Sequence, residues 1–594
     1  MRYFHFCYRI LLLLPMTFMG AILSHAQTED QSMRNNRSSS PSGSTSFLNA
    51  NASVSPSLYT GGLELSLPIY TLKSTALQIP ISITYTASNG VRPTDPNTVV
   101  GMDWMLMAGG SIKRQVRGLP DEVAYGYIGT NQEGAAVASD YNGNHLPFDN
   151  LYNIGQSQPV VDGEPDVFTV STPFFNVQFT LDQNGKPVFE GGSSGFQVVD
   201  RLYNNTPGAE TTGFTIIDPQ GTQYLFGSQS STRELTTTSF FGNSVQFIST
   251  WYLEKITTLN SKDVIALSYQ EFTDEKVYSY QLNKLYTTDY SGSTFPPSGS
   301  PTGFTGVTNE NVIVANNIYN GPKFVSQIVT RSGEADFTYT KNSNSYLDNS
   351  NPPYLSAIAI KQFNPITGGN TNLLQTYNFS FTDLETGIMG ETPPYADTGV
   401  WADDYRRLLN TVTVTGNTSA TATPLTLYNL KYYQSLPYCD RYLPQNLDYW
   451  GYQNSTQFLI DANNSDENWF LYPDQYRQPA SYTPSGSSQS VPMAAIFALQ
   501  ELDQLGGQST FFNYQQNDYY NGTSNIQAGG ARVSSIVRQL PTGESLTTTY
   551  NYYDGSGHST GQLWSNLYSH VRIFFGPNCC NLITVATSQS PYGI

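Results

Sequence analysis

Two strings have the Gly-x-Ser-x-Gly pattern of a hydrolase nucleophile: Gly191-Gly192-Ser193-Ser194-Gly195 and Gly557-His558-Ser559-Thr560-Gly561. Such a serine needs a strand before it and a helix after it. The first string lies between two strand-like stretches and the second in a Gly-Ser turn after Tyr552, so neither context fits. Three histidines follow residue 26, namely His145, His558 and His570, and none stands at ligand spacing from another His, Cys or carboxylate. Asp140-Tyr141-Asn142-Gly143-Asn144 starts like a calcium loop, but the later ligand positions and the glycine position do not match. No Gly-x-Gly-x-x-Gly or Walker phosphate loop occurs. The expectation is therefore no catalytic residue, no metal and no cofactor. Two segments combine rings and charges: Trp401-Ala402-Asp403-Asp404-Tyr405-Arg406-Arg407 and Asp448-Tyr449-Trp450. Rings that stack on pyranose faces and carboxylates that bind hydroxyls would make Trp401, Asp403, Asp404, Tyr405, Asp448, Tyr449 and Trp450 glycan contacts. The other reading is that these are structural loops capping a sheet. A glycosidase would need two carboxylates roughly 5–10 Å apart, and no such pair can be nominated from the sequence.

The elements that must carry these residues read as β throughout. The chain holds 42 Tyr, 31 Phe, 49 Gly and 34 Pro, with only 12% charged residues. That mixture favours short strands and tight turns. Its 594 residues exceed one ordinary core, so two or more domains are expected. Leu63, Leu65, Leu67 and Ile69 alternate with polar residues, as do Leu77, Ile79, Ile81 and Ile83. Pro68 and Pro80 within these runs mark edge strands or strand ends. Val99 to Leu106 is a more continuous apolar run. Asp182-Gln183-Asn184-Gly185 predicts a hairpin turn, and Phe214 to Gly227 predicts a second hairpin. From about residue 250 one pattern recurs six times: an apolar strand with Leu-x-x-Ile, a polar turn, then a strand ending Phe-x-Tyr or similar. The copies begin at Trp251, Phe324, Leu355, Leu409, Leu499 and Val533. A lone hairpin cannot bury its apolar face, so the hairpins must join into a propeller, a solenoid or a wrapped sheet. We expect an all-β protein with a β-sandwich-like module over 51–240, a hairpin-repeat region over 241–565 and an atypical tail over 566–594.

The first 26 residues read as a secretory signal, with Arg2 and Arg9, an apolar core from Ile10 to Leu23 interrupted by Pro15, and a Ser24-His25-Ala26 cleavage site. A Ser- and Asn-rich linker follows over 27–50. No later stretch is long and apolar enough for a spanning helix. The signal carries two of the 28 basic residues and none of the 46 acidic ones, which leaves a net charge of −20. So acidic a chain repels nucleic acid. Cys439, Cys579 and Cys580 are too few for a disulfide framework.

Several strand-and-turn segments, taken in order, resemble the N-terminal region of secreted bacterial RHS/YD-repeat proteins, the Tc-toxin-like shell proteins among them. They are Ser66-Leu67-Pro68-Ile69-Tyr70, Pro80-Ile81-Ser82-Ile83-Thr84-Tyr85, Gly101-Met102-Asp103-Trp104-Met105-Leu106 and Ala108-Gly109-Gly110-Ser111-Ile112. Arg117-Gly118-Leu119-Pro120-Asp121-Glu122, Glu164-Pro165-Asp166-Val167-Phe168 and Ser249-Thr250-Trp251-Tyr252-Leu253 follow, then Asp448-Tyr449-Trp450-Gly451-Tyr452 and Gly529-Gly530-Ala531-Arg532-Val533. The resemblance spans roughly residues 55–565. It implies a non-catalytic scaffold that precedes repeats of a β shell, with downstream repeats or a cargo as partners. A free-standing surface lectin or adhesin that binds cell-surface glycans is the alternative, and an extracellular glycosidase comes third.

Overall fold

The computed structural model describes, with short interruptions, residues 53–128, 164–286, 307–385, 405–434 and 479–562, together with 448, 450, 452, 572–575 and 583–586. The expected signal and linker lie outside the described residues, as do Cys439, Cys579 and Cys580. The described chain is all β, as the pattern predicts: apart from short 3-10 turns such as Met493–Ala495, its elements are strands. Among the described residues no helix is long and apolar enough to cross a membrane.

All six repeated units form antiparallel hairpins. Asn243–Thr257 pairs with Val264–Glu271, Lys323–Val329 with Gly333–Thr340, and Tyr354–Phe363 with Thr371–Glu385. Tyr405–Gly416 pairs with Leu425–Tyr432, Leu499–Gln504 with Gln508–Tyr520, and Asn525–Gln539 with Ser545–Thr549. Each hairpin is also hydrogen-bonded edge to edge with the next. The units therefore merge into one ladder and do not stand as separate blades.

One bond repeats along this ladder. The tyrosine closing a unit donates its hydroxyl to a carbonyl in the opening strand of that unit: Tyr269 to Leu253 at 2.8 Å, Tyr339 to Val325 at 2.9 Å, Tyr432 to Leu409 at 2.9 Å, Tyr514 to Leu499 at 2.9 Å and Tyr552 to Val533 at 2.7 Å. Burial pushes each of these phenols up, so each keeps the proton it donates. A register shift precedes the ring in four units, at Ser268/Tyr269, Thr338/Tyr339, Lys431/Tyr432 and Asn513/Tyr514. Such a bulge bends the strand and re-aims the following side chain, which here swings the ring back over its own hairpin. The third unit has the shift, at Ser380/Phe381, but no hydroxyl to donate. There the opening residue, Leu355, instead gives its N–H to Val99 O at 2.7 Å.

Strand Asn243–Thr257 is where the sheets meet. Its first part pairs with Arg233–Phe240 on one side, and Thr250, Trp251 and Tyr252 pair with Ser111–Gln115 on the other. Its last part pairs with Gln223–Phe226 and Val264–Glu271. Trp251 is fully buried at this crossing, edge-on to Phe214 at 5.0 Å and tilted against Phe168 at 5.8 Å. Gly227 has φ +59, and a Cβ there would lie 2.3 Å from Trp251 Cδ1, so only glycine fits. Strands Arg233–Phe240 and Asn243–Thr257, on either side of the expected boundary between modules, pair with each other.

A four-stranded sheet, Ser53–Pro56, Leu63–Lys73, Gln78–Tyr85 and Trp104–Met107, lies against the ladder. The pegs are polar: Tyr428 donates to Pro68 O at 2.9 Å, Leu499 N to Tyr85 Oη at 3.0 Å, and Trp104 Nε1 to Tyr432 Oη at 2.9 Å. Its alternating leucines and isoleucines are buried in the same core as those of the ladder. Pro68 and Pro80 fall where one edge of their strand has no ladder partner, as expected: Ser53–Pro56 ends opposite Ser66, and Trp104–Met107 reaches only Ser82. The apolar run from Val99 to Leu106 is not one strand. It breaks at Gly101 (φ 97) and Asp103 (φ 61), because the glycine must pass within van der Waals reach of Arg407 O and Leu409 N.

Two substitutions test these constraints. Tyr514→Phe leaves the Leu499 carbonyl buried without its donor and should cost about 1–3 kcal/mol, read as a lower urea midpoint. Gly227→Ala adds left-handed strain to a clash with Trp251, and roughly 2–5 kcal/mol is expected in the same measurement.

Candidate functional site

The residues singled out for chemistry are dispersed. Trp401, Asp403, Asp404 and Tyr449 lie outside the described residues, and Tyr405 is described only as the first backbone position of its strand. Asp448 and Trp450 are buried. Asp448 Oδ1 accepts from the backbone N–H of Trp450 and of Tyr452, both at 2.9 Å, so the carboxylate shapes its own turn. Trp450 packs against Gly529, where a Cβ would come within 2.3 Å of the Trp450 Cβ. Neither residue offers a face to a sugar. Ser193, His145, His570 and the Asp140–Asn144 segment are outside the described residues. Ser559 is buried and donates to Asp518 Oδ1 at 2.6 Å, while the His558 ring stacks on Tyr520 at 4.1 Å and faces Asp554. The serine of that string is thus bonded to a carboxylate, not to a histidine.

Two other constellations emerge, both built from segments that carry the family resemblance. The first is a cavity of about 250 Å³ bordered by Thr86, Asn89, Arg92, Asp95, Asp103 and Tyr452. Its loop is held by main-chain bonds: Ala531 N donates to Asn89 O at 2.7 Å and Val91 N to Ala494 O at 2.8 Å. Gly530 (φ +87) lets the chain come within reach of Asn89 O and the Tyr452 ring. Arg92 lies over the Tyr452 ring at 4.8 Å and donates to Tyr452 Oη at 3.2 Å, while its N–H is held by Asp95 Oδ2. Asp103 is buried, and its carbonyl accepts from both N and Oγ1 of Thr86. Burial pushes the Asp103 carboxyl well above the usual carboxylate range, with Asp95 adding to the effect and Arg406 opposing it.

The second is a buried acid–arginine cluster. Arg114 donates Nε to Asp166 Oδ2 at 2.6 Å and a two-pronged pair to Glu122 at 2.8 and 2.5 Å. Asp166 also accepts from the N–H groups of Arg117 and Asp121, and Asp121 Oδ1 accepts from Asp166 N. The Asp121-Glu122 turn is thereby tied to the start of strand Val167–Ser171. Burial, then the charge of Asp166, pushes Asp121 up to about 8. Two carboxylates on one guanidinium, with Asp121 bonded to the Asp166 backbone beside them, form a clamp. Among the described residues no group of three or more His, Cys, Asp or Glu could hold a metal ion.

Sequence reasoning picked out Asp103, Asp121, Glu122 and Asp166 only as letters in motifs. Arg114 reaches Glu122 over 8 positions and Asp166 over 52, and Arg92 reaches Tyr452 over 360.

The fold and these clusters define an all-β protein of serial hairpins closed by polar clamps. No family model and no curated protein matches the chain. Solved structures do. A crystal structure of TcdB2-TccC3 aligns over 85% of this chain and 22% of that one, at 11% identity and a TM-score of 0.30. The N-terminal domain of the effector protein SpvB from Salmonella typhimurium strain LT2 aligns over 59% of this chain and 99% of that one, at 11% identity and a TM-score of 0.25. This chain thus spans about a fifth of the length of the TcdB2-TccC3 chain.

Arg114→Met removes the guanidinium that pairs with both Glu122 and Asp166 and should destabilise the protein by about 3–5 kcal/mol in urea unfolding. The cluster also sets a pH dependence. Folded Asp121 keeps a proton that the unfolded chain releases near 3.8, so the folded state binds more protons between 3.8 and about 8. Its contribution therefore becomes less favourable as pH rises through that window. Melting temperatures measured across it should fall less steeply in Asp121→Asn than in the wild type.

Proposed function

We propose that this chain is a non-catalytic scaffold segment of an exported RHS/YD-repeat-type protein, supplying wall to a larger β shell. The observation that carries the reading is the repeated tyrosine-to-carbonyl bond at the same place in five hairpins joined edge to edge. A unit that closes its own bond and presents an edge to the next is suited to serial extension. The last strand of the ladder, Ser545–Thr549, pairs with Asn525–Gln539, and each of its residues is exposed. Further hairpins added there would continue the wall, and their cargo would be the partner. The order of the motif segments supports the same reading, as does the way the structure gathers Gly101–Leu106, Asp448–Tyr452 and Gly529–Val533 near one another.

Fractionated native cells and culture medium, immunoblotted with antibody to residues 51–240, test this reading. A band far above 65.6 kDa is expected, in the medium or at the surface. A stable band near that mass, less the signal, overturns it and favours a free-standing surface protein.

A further inference from the structure

The cavity beside Asp103 is a polar site that the scaffold reading leaves without a use. Three side-chain atoms around it are buried and find no hydrogen-bond partner among the described residues: Asn89 Oδ1, Arg92 Nε and Asp103 Oδ2. Buried polar groups are normally satisfied, and each exception calls for an explanation. Asp103 is the most demanding of the three. It is only 7% exposed, and the grip of Thr86 on its carbonyl fixes the backbone that aims it.

The charges and the size narrow what would fit. Arg92 lines the cavity together with Asp95 and Asp103, so a cation would meet a guanidinium group and an anion would meet Asp95. A hydroxyl both donates and accepts. A molecule with several hydroxyls can take the hydrogen of Arg92 Nε and give one to Asn89 Oδ1. It can also pair with the unpartnered Asp103 Oδ2. A volume of about 250 Å³ is below that of sites for drug-sized ligands, roughly 300–1,000 Å³, and suits one ring rather than a chain of them. We propose that this cavity binds a small neutral polyhydroxylated molecule, of the class of a single sugar unit, through Asn89, Arg92 and Asp103. The proposal does not depend on the shell reading.

Saturation-transfer-difference NMR on the full chain tests it, with glucose, galactose, mannose, N-acetylglucosamine and myo-inositol as probes. Signal from at least one probe is expected. Arg92→Met should weaken it about ten-fold or more, since a bond from a charged donor is lost. Asn89→Ala removes only a side-chain amide and leaves the Asn89 carbonyl bond to Ala531 in place. It should weaken binding in the same direction at an unchanged melting temperature, and it carries the test if Arg92→Met fails to fold. No signal from any probe with folded wild-type protein overturns the proposal. So does signal that persists undiminished in Asn89→Ala, which would place the binding elsewhere. A rise in melting temperature with calcium chloride and no sugar signal also overturns it, in favour of a cation site.

Discussion

The ladder depends on one recurring constraint: the chain must bulge just before a closing aromatic so that its ring folds back on the hairpin it ends. Without the register shift, the side chains of Tyr269, Tyr339, Tyr432 and Tyr514 would follow the plain alternation of a strand. With it, each hydroxyl satisfies a carbonyl of the opening strand, and each ring adds a large apolar face to the core. Phe381 shows that the two contributions are separable. It keeps the shift and the ring, packing at 5.3 Å from Tyr354, without a hydroxyl; the bond made there by Leu355 is a different one, its N–H donating to Val99 O.

A ladder of this kind buries one face only if something covers it. The four-stranded sheet of residues 53–107 does so, and its pegs bind tyrosines of the ladder: Tyr428 holds Pro68, and Tyr432 holds Trp104 while also closing its own unit. Trp251 performs the matching task at the other end, where one long strand serves two sheets and Gly227 makes room for the indole. Polar clamps then close the gaps that strands leave open. The Arg114 cluster fastens a turn to a strand, and the Asp448 carboxylate shapes the turn that carries Tyr452 into the cavity wall.

Much of this was legible in the sequence, for identifiable reasons. Strand alternation at Leu63–Ile69 and turn chemistry at Asp182–Gly185 are local, and both came out as read: the Asp182 carboxylate accepts from Lys186 N, and Gly185 has φ 68. The six hairpins were legible because Leu-x-x-Ile and Phe-x-Tyr bracket a polar turn. The role of the tyrosine was not, because it depends on a bulge that a residue string does not announce. The cavity was hidden for a second reason. Asp103 sits inside an apolar run that reads as a strand, and only the close approach to Arg407 and Leu409 forces that run to break and turn the carboxyl inward. Asp448 and Trp450 could be read from the sequence as a sugar-binding pair or as a structural loop, and their burial is not announced by a ring beside an acid.

The tyrosine bonds also separate two scales of chain closure. Each spans only 14–23 residues, whereas the bonds that seat the N-terminal sheet reach from Pro68 to Tyr428 and from Tyr85 to Leu499, over 360 and 414 residues. Short loops close early and at little entropic cost, and long ones must wait for their partners. A chain emerging from its N-terminus can therefore zip hairpin after hairpin as each tyrosine appears. Its first sheet, however, stays uncovered until the strands near residue 500 arrive. During that interval the leucines of residues 63–72 are the surface most in need of protection from other chains.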